Sequence, residues 1–217
     1  SGIDGYMIHH LEGSPLLDLL HPGDIFLGEV GSEKDYISTR VSYALDLMGP
    51  SLAVNSACSS ALAAVALAAA SMISRQSDMA LAGGSSLTFP GTGYLFEEGL
   101  VNSIDGKVRP FDAKAHGTVF GDAVGAVILR RLSDALSADD HVLAIWLGCG
   151  VSNDGSRKAG YAAPGVAGQA AAVRAALDAA AVRPMDVSYV ECHATGTLVG
   201  DGIEVRALTE AFASSAG

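Results

Sequence analysis

Only three cysteines occur in 217 residues, at 58, 149 and 192. They are too few and too unevenly spaced for a disulfide framework, and an odd count fits a reducing, cytoplasmic compartment. No CxxC or HxxxH spacing is present, so no metal site is expected. Basic residues are scarce: 13 Lys and Arg against 24 Asp and Glu give a net charge of −11. That balance argues against a nucleic-acid partner, whose phosphates require a basic surface. The longest apolar run, Ala61 to Ile73, is too short and too alanine-rich to cross a bilayer. The start, Ser1-Gly2-Ile3-Asp4, lacks the basic and apolar regions of a signal peptide. Charged residues amount to only 17% against 49% hydrophobic ones, which argues for a well-buried core and against disorder.

What is present alternates between strand and helix. Residues 1–40 are mixed and turn-rich, with a polar cluster at Gly31-Ser32-Glu33-Lys34-Asp35. Ser38 to Asp46 reads as a short amphipathic helix stopped by Gly49-Pro50. Ser51 to Ala57 reads as strand and Ser59 to Arg75 as helix. That helix is apolar all round, the mark of a fully buried element, with Arg75 complementing the dipole of its last turn. Asp78 to Gly84 is a second strand, followed by a glycine-punctuated loop through Gly99 and a loop-rich stretch over 101–121. Ala123 to Leu132 and Val142 to Cys149 read as strands, plausible partners in a hairpin. Gln169 to Ala181 is helix, Val187 to Cys192 strand and Asp201 to Phe212 helix. The pattern predicts an α/β fold whose helices cover a largely buried mixed sheet.

Two segments carry chemistry. In Val54-Asn55-Ser56-Ala57-Cys58-Ser59-Ser60-Ala61-Leu62 a cysteine sits between an apolar strand-like run and a helical run. No charged residue lies between Leu47 and Ser74. The unpaired N–H groups and positive dipole end of a helix N-terminus favour a thiolate, so Cys58 is a candidate nucleophile. Simple packing is the competing reading, since cysteine is among the most buried residue types. Only the following helix separates Cys58 from Cys149 and Cys192. The second segment, His193-Ala194-Thr195-Gly196-Thr197, follows a strand end, where α/β sites gather. Asp201 and Glu204 follow at i, i+3 and share one helix face. A structural histidine and a dipole-complementing acidic pair are the alternatives there.

Together these segments resemble the β-ketoacyl synthase family, specifically the ketosynthase domain of modular type I polyketide synthases. The family's D-T-A-C-S-S-S-L is matched by Asn55 through Leu62, and its H-G-T-G-T-P-L-G-D-P-I-E by His193 through Glu204. Arg109-Pro110-Phe111-Asp112, Phe120 through Gly125, Asn153-Asp154-Gly155 and Tyr161 through Gly165 resemble further motifs in the family's order. Asp35-Tyr36 and Arg40 through Tyr43 extend the likeness towards the start. Asn55 stands in place of Asp, Ala194 of Gly, and Leu198 and Gly202 of Pro, while His116 lies where Asp is more typical.

The resemblance implies a thiolase-like fold and a homodimeric parent. It implies that residues 1–217 are a partial ketosynthase domain, mostly the N-terminal half, with 187–217 beginning the C-terminal half. Cys58 would take an acyl chain as a thioester from the phosphopantetheine arm of an acyl carrier protein, with no cofactor bound directly. His193 would stabilise charge on the extender thioester oxygen during decarboxylation. Thr195 and Thr197 would hold the pantetheine arm, and Asp201 and Glu204 would support the site's lysine and water network. The family's second histidine, its preceding lysine and its G-F-G-G loop have no counterpart among these residues. The chain is therefore expected to be an internal fragment without condensing activity of its own. A thiolase acting on coenzyme A thioesters, and a non-elongating dimeric scaffold, are the competing functions. The context of Cys58 and the His193–Thr197 motif favour the synthase.

Overall fold

The computed structural model describes residues 26–213 except 29, 32, 89, 90 and 92. The reading of residues 1–25 lies outside them. The chain divides into two compact units, Ser1–Thr92 with Gly121–His141, and Gly93–Phe120 with Val142–Gly217.

In the first unit, helix α1 (Ile37–Ala44) and helix α2 (Ser60–Ile73) precede strand β1 (Met79–Ser86). Strand β2 (Ala123–Arg130) pairs antiparallel with β1, Met79 opposite Arg130 and Ser86 opposite Ala123. A short helix, α3 (Leu132–Ser137), follows. Alanine supplies α2 with high helix propensity and a thin side, which lets its first turn sit directly on β1. A Cβ added at Gly84 would lie 2.9 Å from the Ala61 Cβ, so the sheet accepts the helix only because position 84 has no side chain. Arg131 ties the other end of α2 down. Its Nη1 donates to the carbonyls of Met72 (3.2 Å) and Ser77 (2.9 Å), its Nε to Asp134 (2.7 Å), and its Nη2 to Asp78.

The second unit is centred on helices α4 (Val166–Ala180) and α5 (Gly200–Ala213). Ala170, Ala207 and Ala211 form its buried core, with Val166 and Val173 packed against it. Small side chains on both helices allow close approach, so apolar area is removed from water with little side-chain entropy lost.

Several expectations need correction. The run Ala123–Leu132 does not form a hairpin with Val142–Cys149: β2 pairs with β1, and α3 interrupts the chain directly after β2. Among the described residues β1 and β2 form the only sheet, and 51–56, 142–149 and 187–192 carry no ladder. A strand needs a partner's N–H and C=O groups, which an apolar run itself does not encode; nor are these runs or the sheet largely buried, Leu143 being 88% exposed, Tyr189 74% and Ile128 68%. Nor is α2 fully buried. Ala69 and Met72 are, yet Leu62 is 76% exposed and Ile73 83%. The two-strand sheet covers one side of that helix, whereas its apolar character runs all round. The helix also ends at Ile73, and Arg75 adopts a left-handed φ of 59° beyond it. No helix among the described residues is long and apolar enough to cross a membrane.

Candidate active site

Cys58 is an exposed free thiol in a single 3-10 turn, Ala57–Ser59, directly before α2. Ala57 makes the turn with a φ of 48°, a left-handed conformation costing an L-residue about 1–2 kcal/mol. Three serines hold it there. The Ser60 hydroxyl accepts the Ser56 N–H at 2.8 Å and donates to the Ala57 carbonyl at 2.7 Å. The Ser59 hydroxyl donates to the Ser56 carbonyl at 2.8 Å and lies 2.8 Å from the Ser56 hydroxyl. A hydroxyl has one proton to give, so Ser56 is the donor in that last contact. The serines bond backwards into the turn: Ser59, the residue capping α2, makes no side-chain bond to the helix. The first amides of α2 thus lack a side-chain cap, and such N–H groups with the helix dipole favour negative charge. The helix read from the sequence directly after Cys58 is present, while the serine lacing of the turn before it went unread. Its signal was available in the serines at 56, 59 and 60 flanking a sharp turn.

In the second unit the loop carrying His193 is assembled around two carboxylates from the first turns of α5. Glu204 takes the His193 N–H on Oε1 at 2.6 Å and the Ala194 N–H on Oε2 at 2.9 Å. Asp201, only 6% exposed, takes the Gly196 N–H on Oδ1 at 3.0 Å and the Phe111 N–H on Oδ2 at 2.7 Å. The loop needs such fastening because Ala194 (φ 51°) and Gly196 (φ 69°) are both left-handed. Gly196 is also crowded: a Cβ there would lie 3.1 Å from the Gly117 carbonyl oxygen and 3.2 Å from the Arg109 nitrogen. Gly117 N–H in turn donates to the Gly196 carbonyl at 2.8 Å. The hydroxyls of Thr195 and Thr197 are 2.9 Å apart, and Thr197 Oγ1 accepts the Gly200 N–H at 3.1 Å at the start of α5.

The structure therefore gathers His193, Thr195, Thr197, Asp201 and Glu204 with the loop Arg109–Phe111, while Cys58 belongs to the other unit. The part played by Arg109 to Phe111 could be recognised in sequence only as a motif. Arg109 is fixed by Asp105, Nη2 to Oδ2 at 2.7 Å. That guanidinium contact holds the Asp105 carboxyl well below the usual carboxylate range, reinforced by Ser103 and the Lys107 N–H. Cys149 is exposed and Cys192 half-buried. Burial, then the charges of Glu204, Glu191 and Asp201, pushes the Cys192 thiol up, away from thiolate formation. Among the described residues no cluster of His, Cys, Asp and Glu could hold a metal ion.

Compared with known families, residues 5–135 match the beta-ketoacyl synthase N-terminal domain and residues 143–217 the C-terminal domain. The chain belongs to the β-ketoacyl synthase family. Among curated relatives of this chain, a phenolphthiocerol/phthiocerol polyketide synthase of Mycobacterium tuberculosis is 45% identical over 217 residues. That alignment takes in 98% of this chain and 15% of the relative. The polyketide synthase PksN of Bacillus subtilis is 40% identical over 190 residues, 87% of this chain and 4% of that protein. Ketosynthase twelve of the bacillaene polyketide synthase from Bacillus amyloliquefaciens superposes with a TM-score of 0.86 at 38% identity. It covers 91% of this chain, which spans 36% of that ketosynthase. The module 1 ketosynthase of the same system gives a TM-score of 0.84 at 36% identity over 93% of this chain, 37% of its own length. The chain thus has a thiolase-like α/β fold, present in part, as its motifs implied.

Proposed function

We propose that these residues are part of a polyketide synthase ketosynthase that forms carbon–carbon bonds by decarboxylative Claisen condensation. The observation that carries this reading is the presentation of Cys58, exposed on a left-handed turn at the uncapped N-terminus of α2. The Cys58 thiolate attacks the acyl thioester on the phosphopantetheine arm of an acyl carrier protein. The new Cys58–acyl bond forms as the carbon–sulfur bond to the arm breaks, the arm leaving as a thiolate that takes a proton from water. A malonyl-type extender on the same kind of arm then loses CO₂, and the resulting enolate carbon attacks the Cys58 thioester, releasing the thiolate. No directly bound cofactor is required.

His193 donates a hydrogen bond to the extender thioester oxygen as the enolate forms. Thr195 and Thr197 hold the pantetheine arm by their hydroxyls. Asp201 and Glu204 support the site, a role in keeping with their hold on the backbone of the His193 loop. The Cys58 N–H serves as an oxyanion donor, worth about 3 kcal/mol in such sites. The acyl carrier protein is the partner, the parent works as a homodimer, and the free thiols suit a cytoplasmic setting.

The test uses the full synthase polypeptide that carries these residues. His193→Ala should spare acyl loading on Cys58 and abolish CO₂ release from a malonyl extender. Decarboxylation that survives the substitution would contradict the role given to His193.

A further inference from the structure

We infer that Ser60 is a positioning residue for Cys58, its hydroxyl locking Ala57 in the left-handed conformation that presents the sulfur. The inference rests on the reading of Cys58 as nucleophile and adds a residue to it. The Ser60 side chain bridges the turn, taking the N–H of Ser56 at 2.8 Å and giving its proton to the carbonyl of Ala57 at 2.7 Å. These two groups lie on either side of the Ala57 φ and ψ torsions, so closing both bonds fixes those torsions. The fixing is needed because alanine disfavours a φ of 48°. An ordinary helical serine donates to the carbonyl three or four residues back and does nothing else. Ser60 does this and also captures an amide from the chain entering the turn. The direction of the Cys58 Cα–Cβ bond is set by the residue before it. If Ala57 relaxes to a right-handed or extended φ, the direction in which Cys58 is presented from the turn before α2 changes with it.

Ser59 is not equivalent. Its bonds tie the same turn to Ser56 alone and leave the Ala57 carbonyl untouched, whereas Ser60 holds both the Ser56 N–H and the Ala57 carbonyl. Glycine supplies a second handle on the same torsions, because it enters the left-handed region about as readily as the right-handed one. With glycine at 57 the turn no longer depends on the Ser60 bridge.

The experiment measures iodoacetamide alkylation rates of Cys58 against pH, by peptide mass spectrometry on the whole chain. Cys149 serves as internal reference and far-ultraviolet circular dichroism reports the fold. Ser60→Ala should slow Cys58 alkylation about tenfold, the population ratio that a left-handed alanine implies. Cys149 should be unaffected, and Ser60→Thr should restore the rate. Adding Ala57→Gly to Ser60→Ala should recover most of the loss, and this double variant decides the matter if Ser60→Ala alone folds poorly. Equal Cys58 rates in the native chain and Ser60→Ala would overturn the inference, as would a double variant no faster than the single. A native Cys58 no faster than Cys149 and Cys192 is a different failure: it removes the nucleophile, and with it the proposed function.

Discussion

The carboxylate of Asp201 accepts the N–H of Phe111 at 2.7 Å across 90 positions of sequence, while its other oxygen holds Gly196. One buried side chain at the start of α5 thereby fastens the Arg109–Phe111 loop to the loop that carries His193. Phe111 is itself left-handed, with a φ of 59°, so this end of the connection opposes local backbone preference. A buried carboxylate with two N–H partners is one of the few groups that can sustain that.

Asp201→Ala should destabilise the protein by about 2–3 kcal/mol, because two loop amides lose their acceptor. Asp201→Asn keeps one acceptor oxygen and should cost about half as much. Denaturant unfolding measures both, and proteolysis near residues 109–117 should quicken in the alanine variant first. Equal stability of all three proteins would show that the loops do not depend on this connection.

Ala194 occupies a left-handed position with no glycine. Ala194→Gly should stabilise the protein by about 0.5–1 kcal/mol, the relief of left-handed strain less the added freedom of the unfolded chain. Gly196→Ala should do the reverse by more than 1 kcal/mol or so, since it adds strain and a Cβ 3.1 Å from the Gly117 carbonyl oxygen. Thermal melts of the two variants should therefore move in opposite directions.

Asp105 has its folded-state pKa depressed, first by the Arg109 hydrogen bond and then by Ser103 and the Lys107 N–H. A depressed carboxylate contributes stability that is present above its unfolded value of about 3.9 and is lost as pH falls towards its folded value. The stability gap between the native protein and Asp105→Asn should be full near about pH 7, begin to shrink as pH falls through about 4, and go on shrinking towards the depressed folded value. A gap unchanged across that range would mean the ion pair with Arg109 is not its source. The side chains are part-exposed, so the gap should also narrow in high salt.

Much of this was legible in the residues, and for identifiable reasons. The helices at 166–180 and 200–213 and the strands at 79–86 and 123–130 follow from local pattern and propensity, and were anticipated within a few residues. The segments 51–57, 142–149 and 187–192 show the limit of such reading: their apolar character was visible, but hydrogen-bond partners are a property of the fold. The same limit explains the hairpin assigned to residues 123–149, where nearness in sequence was taken for pairing. At the site, the motifs singled out Cys58 and His193 as residue types in context. The fastening of their loops was not legible, because the Asp201–Phe111 bond joins positions with no local relationship, and because the serine hydroxyls at 59 and 60 could equally have capped α2. Family membership was the most legible feature of all, since several separate motifs agreed in order.

Covalent loading of Cys58 bears most directly on the whole account. The chain is incubated with a simple acyl thioester of N-acetylcysteamine near neutral pH, then digested and mapped by mass spectrometry. The account predicts one acyl group on the peptide containing Cys58, absent in Cys58→Ala, with Cys192 unmodified because its thiol is pushed up. A folded chain that takes no acyl group, or takes it at Cys149 or Cys192 instead, would contradict it.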